Sequence, residues 1–175
     1  HFDVSEYCRI GGMYDSVPHT RSLLVTGTLD DEKAEKVKGL VSPRRNAYQG
    51  PTSIVNLVTE ALSGLEVATP SLMVHLPQYV QLDEDHTGAA RLMEVLSVLY
   101  GFPGSFADNA RGEQQYREIS LAVEKNPDVR RLIQQLEVEY ASGRVSRDPE
   151  NGPEIEQLAM PAELENFLRE LEGDR

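Results

Sequence analysis

Apolar residues fall along this chain either in unbroken runs or at helical spacing. Leu23-Leu24-Val25-Thr26-Gly27 and Ser71-Leu72-Met73-Val74-His75-Leu76 are β-rich runs with little polar alternation, the pattern of strands covered on both faces. Tyr7-Cys8-Arg9-Ile10 reads as a shorter strand. A glycine loop is expected to end it at Gly11-Gly12 and to continue through Asp15-Ser16 to Val17-Pro18-His19-Thr20-Arg21. A helix over residues 31–40, capped by Thr28 or Asp30, opens with acids and closes with Lys36, Lys38 and Gly39. Residues 44–48 fit a short extended segment. Ile54, Val55, Val58, Ala61, Leu62 and Leu65 mark a second helix opening near Ser53, and Leu92, Val95, Leu96 and Leu99 mark a third over residues 86–100, stopped by Gly101. Strand-then-helix units of this kind predict an α/β sandwich with a largely parallel sheet.

The pattern changes after Pro103. Residues 107–125 and 128–142 read as two polar helices split by Asn126-Pro127, with apolar stripes narrow enough for a helical hairpin packed on the sheet domain or on a neighbouring subunit. Gly143, Pro149, Gly152 and Pro153 mark a linker, and residues 161–171 read as a short amphipathic helix carrying Leu164, Phe167, Leu168 and Leu171. The expected organisation is a sheet domain over 1–104, a helical hairpin over 105–145 and an acidic linker with a short helix over 146–175.

Charge and composition narrow the function classes. Seventeen Lys and Arg stand against 29 Asp and Glu, a net charge of −12, which argues against a nucleic-acid partner. A single cysteine excludes an internal disulfide and with it the stapled secreted classes. No apolar run approaches the roughly 18–20 residues that span a bilayer, so a cytoplasmic protein with no membrane partner is expected. The chain opens at His1 rather than Met and has no leader-like stretch, so a processed, tagged or truncated product is expected.

Three segments could carry chemistry. His19, Thr20 and Arg21 in a loop beside a strand could bind an anion or assist proton transfer; the plainer reading makes Pro18 the turn, Thr20 a backbone partner and Arg21 half of a local ion pair. Gly50-Pro51-Thr52-Ser53 opens a helix whose free amides could attract an anion, or is an ordinary capped start. His75-Leu76-Pro77-Gln78-Tyr79 lies at a strand end, where open α/β sheets place ligands, and His19 and His75 could face one crevice. Asp83-Glu84-Asp85-His86 reads as an acidic helix start, because consecutive residues do not converge on one ion. No Gly-Lys-Ser/Thr loop, His-Glu-x-x-His or Gly-x-Ser-x-Gly occurs, and Cys8 reads as a buried thiol, so no metal, cofactor or catalytic residue is expected.

Taken in order, Gly11-Gly12-Met13, Val17-Pro18-His19-Thr20-Arg21, Tyr48-Gln49-Gly50-Pro51-Thr52-Ser53 and His75-Leu76-Pro77-Gln78-Tyr79 resemble the proteasome assembly chaperone family of the second-chaperone type, in its bacterial branch. The resemblance covers residues 7–102 most strongly. It implies a three-layer αβα sandwich of the phosphorylase/hydrolase-like kind, usually oligomeric. Family members carry further strands and a helix before the glycine loop; without them the sheet has an edge that a partner must pair or shield. Archaeal relatives dock on the proteasome through a hydrophobic-Tyr-any-residue tail, whereas this chain closes on Gly173-Asp174-Arg175, which argues against docking by that route. Some bacterial relatives are likened to ATP-grasp proteins, but no nucleotide-binding motif accompanies the resemblance.

Two readings follow. The favoured one is a non-enzymatic, homo-oligomeric assembly or scaffolding factor with protein partners. The alternative is a small-molecule or anion-binding protein or enzyme, with a crevice built from His19, Thr20, Arg21, Gly50, Thr52, Ser53, His75 and Tyr79. An empty, collapsed crevice in a symmetric oligomer, with loop side chains bonded to one another, favours the first; an anion or metabolite held by Arg21, His19 and the helix start at Gly50 to Ser53 favours the second.

Overall fold

The apolar run beginning at Ser71 becomes a strand paired on both sides. The computed structural model describes residues 3–43, 54–80 and 82–142. Within them the chain forms β1 (Arg9–Asp15), β2 (Val25–Thr28), α1 (Asp31–Lys36), β3 (Ser42–Pro43), α2 (Ile54–Ser63), β4 (Ser71–Pro77), α3 (His86–Tyr100), α4 (Asn109–Glu124) and α5 (Pro127–Ala141), with a short 3-10 turn at Gly104–Phe106 before α4. The four-stranded sheet has the order β1-β4-β2-β3.

Two of its pairings are parallel, β1 with β4 and β2 with β3, but β2 runs antiparallel to β4. The sheet is therefore mixed, and the expectation of a largely parallel sheet is corrected at its centre. β1 is corrected too. It does not stop at Gly11-Gly12 but runs through both to Asp15, with Gly11 beside Met73 and Gly12 beside Val74. Here the glycines serve close packing rather than a turn. A Cβ on Gly11 would stand 3.3 Å from the Met73 sulfur, and one on Gly12 3.1 Å from Leu76 Cδ1.

One face of the sheet is closed. Leu72, Val74 and Val25 are buried in one cluster with Val95 and Leu96 of α3 and Ile119 and Val123 of α4. Helix α3 comes very near β4, since a Cβ on Gly88 would fall 2.6 Å from Leu76 Cδ2. Its ends are set locally. Asp85 accepts from the Gly88 amide at 2.7 Å, and Gly101 ends the helix in the left-handed region at φ 71°. Helix α4 approaches α3 through Gly112, whose carbonyl accepts from Thr87 Oγ1 at 3.0 Å. Asn126 then caps α5 by accepting from the Asp128 and Val129 amides, with Pro127 in the first turn.

Helix α1 ends at Lys36, short of the expected Leu40. Val37 is drawn into the core, and Gly39 turns the chain with a φ of 83°. Helix α2 has the apolar stripe read from the sequence, yet Ile54 and Leu65 are 73% and 71% exposed, and Leu57 is half-exposed. No helix among the described residues is long and apolar enough to cross a membrane. The segment at 44–48 and the helix expected at 161–171 lie outside the described residues.

Candidate functional site

The loop after β1 is where the polar candidates gather, and two later elements hold it. The Arg21 amide bonds the Pro18 carbonyl to close the turn, and Val17 and Pro18 are buried beneath it. His19 is buried as well. Its backbone N–H donates to Tyr79 Oη at 2.7 Å, and its Nδ1 lies 2.8 Å from the same oxygen. On the other side Nε2 lies 3.0 Å from Ser120 Oγ, whose own hydroxyl donates to the Tyr116 carbonyl at 2.9 Å.

These bonds fix the proton positions. Ser120 spends its hydrogen on Tyr116, so its oxygen receives the hydrogen of His19 Nε2. Nδ1 is then bare and accepts the Tyr79 hydroxyl hydrogen, while the Tyr79 oxygen receives the His19 amide. Every donor in the chain has an acceptor, and the imidazole is neutral. Burial pushes its pKa down from 6.5 to about 4, against an opposing pull from Glu137. Burial likewise raises the Tyr79 and Tyr116 hydroxyls above the ordinary tyrosine value. A neutral, doubly bonded imidazole is a structural tie between the loop, the end of β4 and α4.

The rest of the loop is tied to α5. Thr20 Oγ1 donates to Glu137 Oε1 at 2.5 Å, the same oxygen lies 3.7 Å from Arg21 Nε, and Tyr140 donates to the Ser22 carbonyl at 2.7 Å. Thr20 thus bonds a side chain rather than the backbone, and Arg21 makes an ion pair with a carboxylate more than a hundred residues away in sequence. Arg21 remains more than half exposed, so that pair contributes little stability.

His75 makes a separate arrangement across the sheet. Its Nδ1 stands 2.6 Å from Asp15 Oδ2 and its Nε2 2.9 Å from Thr26 Oγ1. A carboxylate accepts, so Nδ1 donates to Asp15, and Nε2 shares the second hydrogen bond with the Thr26 hydroxyl. A carboxylate-oriented imidazole facing a hydroxyl is the connectivity that activates hydroxyl nucleophiles. Here, however, the three side chains come from β1, β4 and β2, and the line bolts adjacent strands together.

An open cleft of about 300 Å³ lies between the loop, α3 and α4. His19 and Arg21 line it with Thr87, Arg91, Glu113 and Tyr116, whereas His75 and Tyr79 do not. Arg91 is already engaged there, bonded to the Leu23 and Leu40 carbonyls and to Glu94. The structure thus brings His19 to Tyr79 and Thr20 to Arg21 but sets His75 apart, and Gly50, Thr52 and Ser53 lie outside the described residues. No cluster of three or more His, Cys, Asp or Glu able to hold a metal occurs among the described residues.

Sequence reading missed Asp15, Thr26, Tyr116, Ser120 and Glu137. For Asp15 a signal existed: it is the polar end of a strand once β1 is read through its glycines. Ser120 and Glu137 sit on polar helix positions with nothing local to single them out.

The fold is shared with solved bacterial structures. A protein of unknown function from Corynebacterium glutamicum matches with a TM-score of 0.69 at 19% identity, covering 82% of this chain and 52% of that one. A Mycobacterium tuberculosis protein of unknown function matches with a TM-score of 0.68 at 21% identity, covering 95% and 53%. A Mycobacterium tuberculosis proteasome-assembly chaperone homologue matches with a TM-score of 0.60 at 22% identity, covering 75% and 55%. The chain therefore spans about half the length of these relatives. No curated protein matches it significantly. The family model described as the PAC2 family matches residues 1–123, most of the sequence and all of β1 through the greater part of α4, and the chain belongs to the PAC2 family.

Proposed function

We propose that this protein is a non-enzymatic assembly or scaffolding factor, acting as a homo-oligomer through contacts with protein partners. The observation that carries the reading is the way its side chains are used. The described polar candidates His19, Thr20, Arg21, His75 and Tyr79 are bonded to other side chains of the same molecule, while Ile10, Tyr14, Ile54, Leu57 and Leu65 present apolar surface to solvent. Exposed apolar patches are what protein–protein contact uses. The name of one relative, a proteasome-assembly chaperone homologue, points the same way.

The finer architecture belongs to the same proposal. It is a three-layer αβα sandwich in which α4 and α5 form a helical hairpin, and it works in the cytoplasm without nucleic-acid or membrane partners. Native mass spectrometry of the purified 175-residue chain tests the reading. The expected result is an oligomer carrying no small molecule. A monomer that carries a small molecule, lost on Arg21→Ala, overturns it in favour of the binding protein.

A further inference from the structure

The cleft of about 300 Å³ between the loop, α3 and α4 has a floor and a rim of opposite character. The floor is built from His19, Leu23, Ala90 and Tyr116, all buried. Their polar side-chain atoms are spent elsewhere. The His19 ring nitrogens are bonded to Tyr79 and Ser120, and the Tyr116 hydroxyl donates to Asp85 Oδ2 at 2.8 Å. The two rings meet edge to face, with centroids 6.0 Å apart. To a ligand this floor offers ring carbons and aliphatic groups, and no free side-chain donor or acceptor.

The rim differs. Arg91 is held by the Leu23 and Leu40 carbonyls and by Glu94, so its charge is answered within α3. Two charges stay uncommitted. Arg21 spends only Nε, in the 3.7 Å pair with Glu137, and its two terminal amino groups have no partner among the described residues. Glu113, exposed on α4, has no hydrogen-bond or ion-pair partner among the described residues. One open cation and one open anion therefore border an apolar floor.

We infer that this cleft binds a small zwitterion, a carboxylate and an ammonium on an apolar body, the chemistry of a free amino acid. The end of the Arg21 guanidinium presents parallel N–H groups that match a carboxylate, and Glu113 accepts the ammonium. The apolar body lies on the rings of His19 and Tyr116 and on Leu23. An anion alone gains Arg21 but meets the like charge of Glu113, and a cation alone meets that of Arg21. Only a ligand of both signs is favoured by both residues. The volume lies at the small end of ligand sites, which suits an amino acid better than a nucleotide. Both charges are close to solvent, so binding of about millimolar strength is expected. Such a ligand leaves during purification, so the site is compatible with an oligomer that carries none. The inference goes beyond the assembly reading and does not depend on it.

Nuclear magnetic resonance titration of the isotope-labelled chain tests the site with two zwitterions. Leucine carries both charges on one carbon, and ε-aminocaproate carries them at the two ends of its chain. Saturable shifts of the Arg21 Nε–H and of the Gly112 and Glu113 amides are expected with at least one, and the one preferred gives the spacing of the two charges. Arg21→Gln and Glu113→Gln are each expected to raise its dissociation constant about tenfold or more. Their spectra should otherwise match the wild type, since both side chains are exposed. The analogues lacking one charge, isocaproate and isoamylamine for leucine, caproate and pentylamine for ε-aminocaproate, should bind the wild type correspondingly weakly. The absence of saturable shifts with both zwitterions up to about 50 mM overturns the inference. So does an affinity that survives both substitutions. An analogue lacking the amine that binds as well as its parent overturns the zwitterion and leaves a simple anion site.

Discussion

The loop at residues 17–22 and strand β1 lie at opposite poles of chemical use. In the loop, polar groups that could have served a ligand are consumed. His19 is shared between Tyr79 and Ser120, Thr20 is given to Glu137, and the Ser22 carbonyl is taken by Tyr140. On β1, the apolar side chains of Ile10 and Tyr14 are left about half exposed. The contrast teaches that residue type alone is a poor guide to a functional site. A histidine in a conspicuous loop fastens the fold, and an unremarkable strand leaves the apolar side chains of Ile10, Met13 and Tyr14 open to solvent.

Breaking the loop should therefore cost folding stability. His19→Ala strands the Tyr79 hydroxyl in a buried place and opens a cavity, so a loss of about 3 kcal/mol is expected in urea unfolding followed by circular dichroism. A ligand-binding histidine would instead leave stability nearly unchanged on removal. A milder version uses pH. The His19 pKa is depressed in the fold from 6.5 to about 4, so the unfolded state takes up its proton first as pH falls. The stabilisation is whole above pH 6.5 and is lost toward pH 4, by about 2–3 kcal/mol. Glu6, Asp30 and Glu32, all with lowered pKa values, lose stability in the same direction at lower pH, so the measurement is the difference between wild type and His19→Gln. The wild type should show the steeper decline between pH 6.5 and 4, and equal slopes would mean that burial does not hold the ring neutral. The smallest effect is expected on the exposed side. Leu57→Glu with Leu65→Glu should change unfolding free energy by no more than about 0.5 kcal/mol, because Leu57 is about half and Leu65 mostly exposed. A larger loss would show that α2 is covered by its own chain.

What could be read in advance follows the range of the interactions involved. Helix α3 was found over its full length because its stripe, its Asp85 cap and its Gly101 stop are all local signals. β4 was found because it is buried on both sides, which makes its run unmistakable. β1 was cut short because paired glycines announce a turn, and only the neighbouring Met73 and Leu76 reveal why a strand needs glycine there. The antiparallel pairing of β2 with β4 depends on how the chain returns across the sheet, which periodicity does not encode. The same holds for the site. Residues 19 and 20 stand out by type, but the partners that decide their role, Ser120 and Glu137, lie on helices of ordinary polar composition.

The bond between His19 and Ser120 joins residues 101 positions apart, and Thr20 reaches 117 positions to Glu137. During synthesis from the N-terminus, β1 and the loop leave the ribosome long before the helices that fasten them. At about 5–20 residues per second, several seconds pass before α5 is complete. Until α4 and α5 emerge, the loop lacks its bonds to Ser120 and Glu137, and the sheet lacks its helical lid from α4. The order of emergence therefore makes α5, the last of the described helices, the element that completes the fastening of the loop.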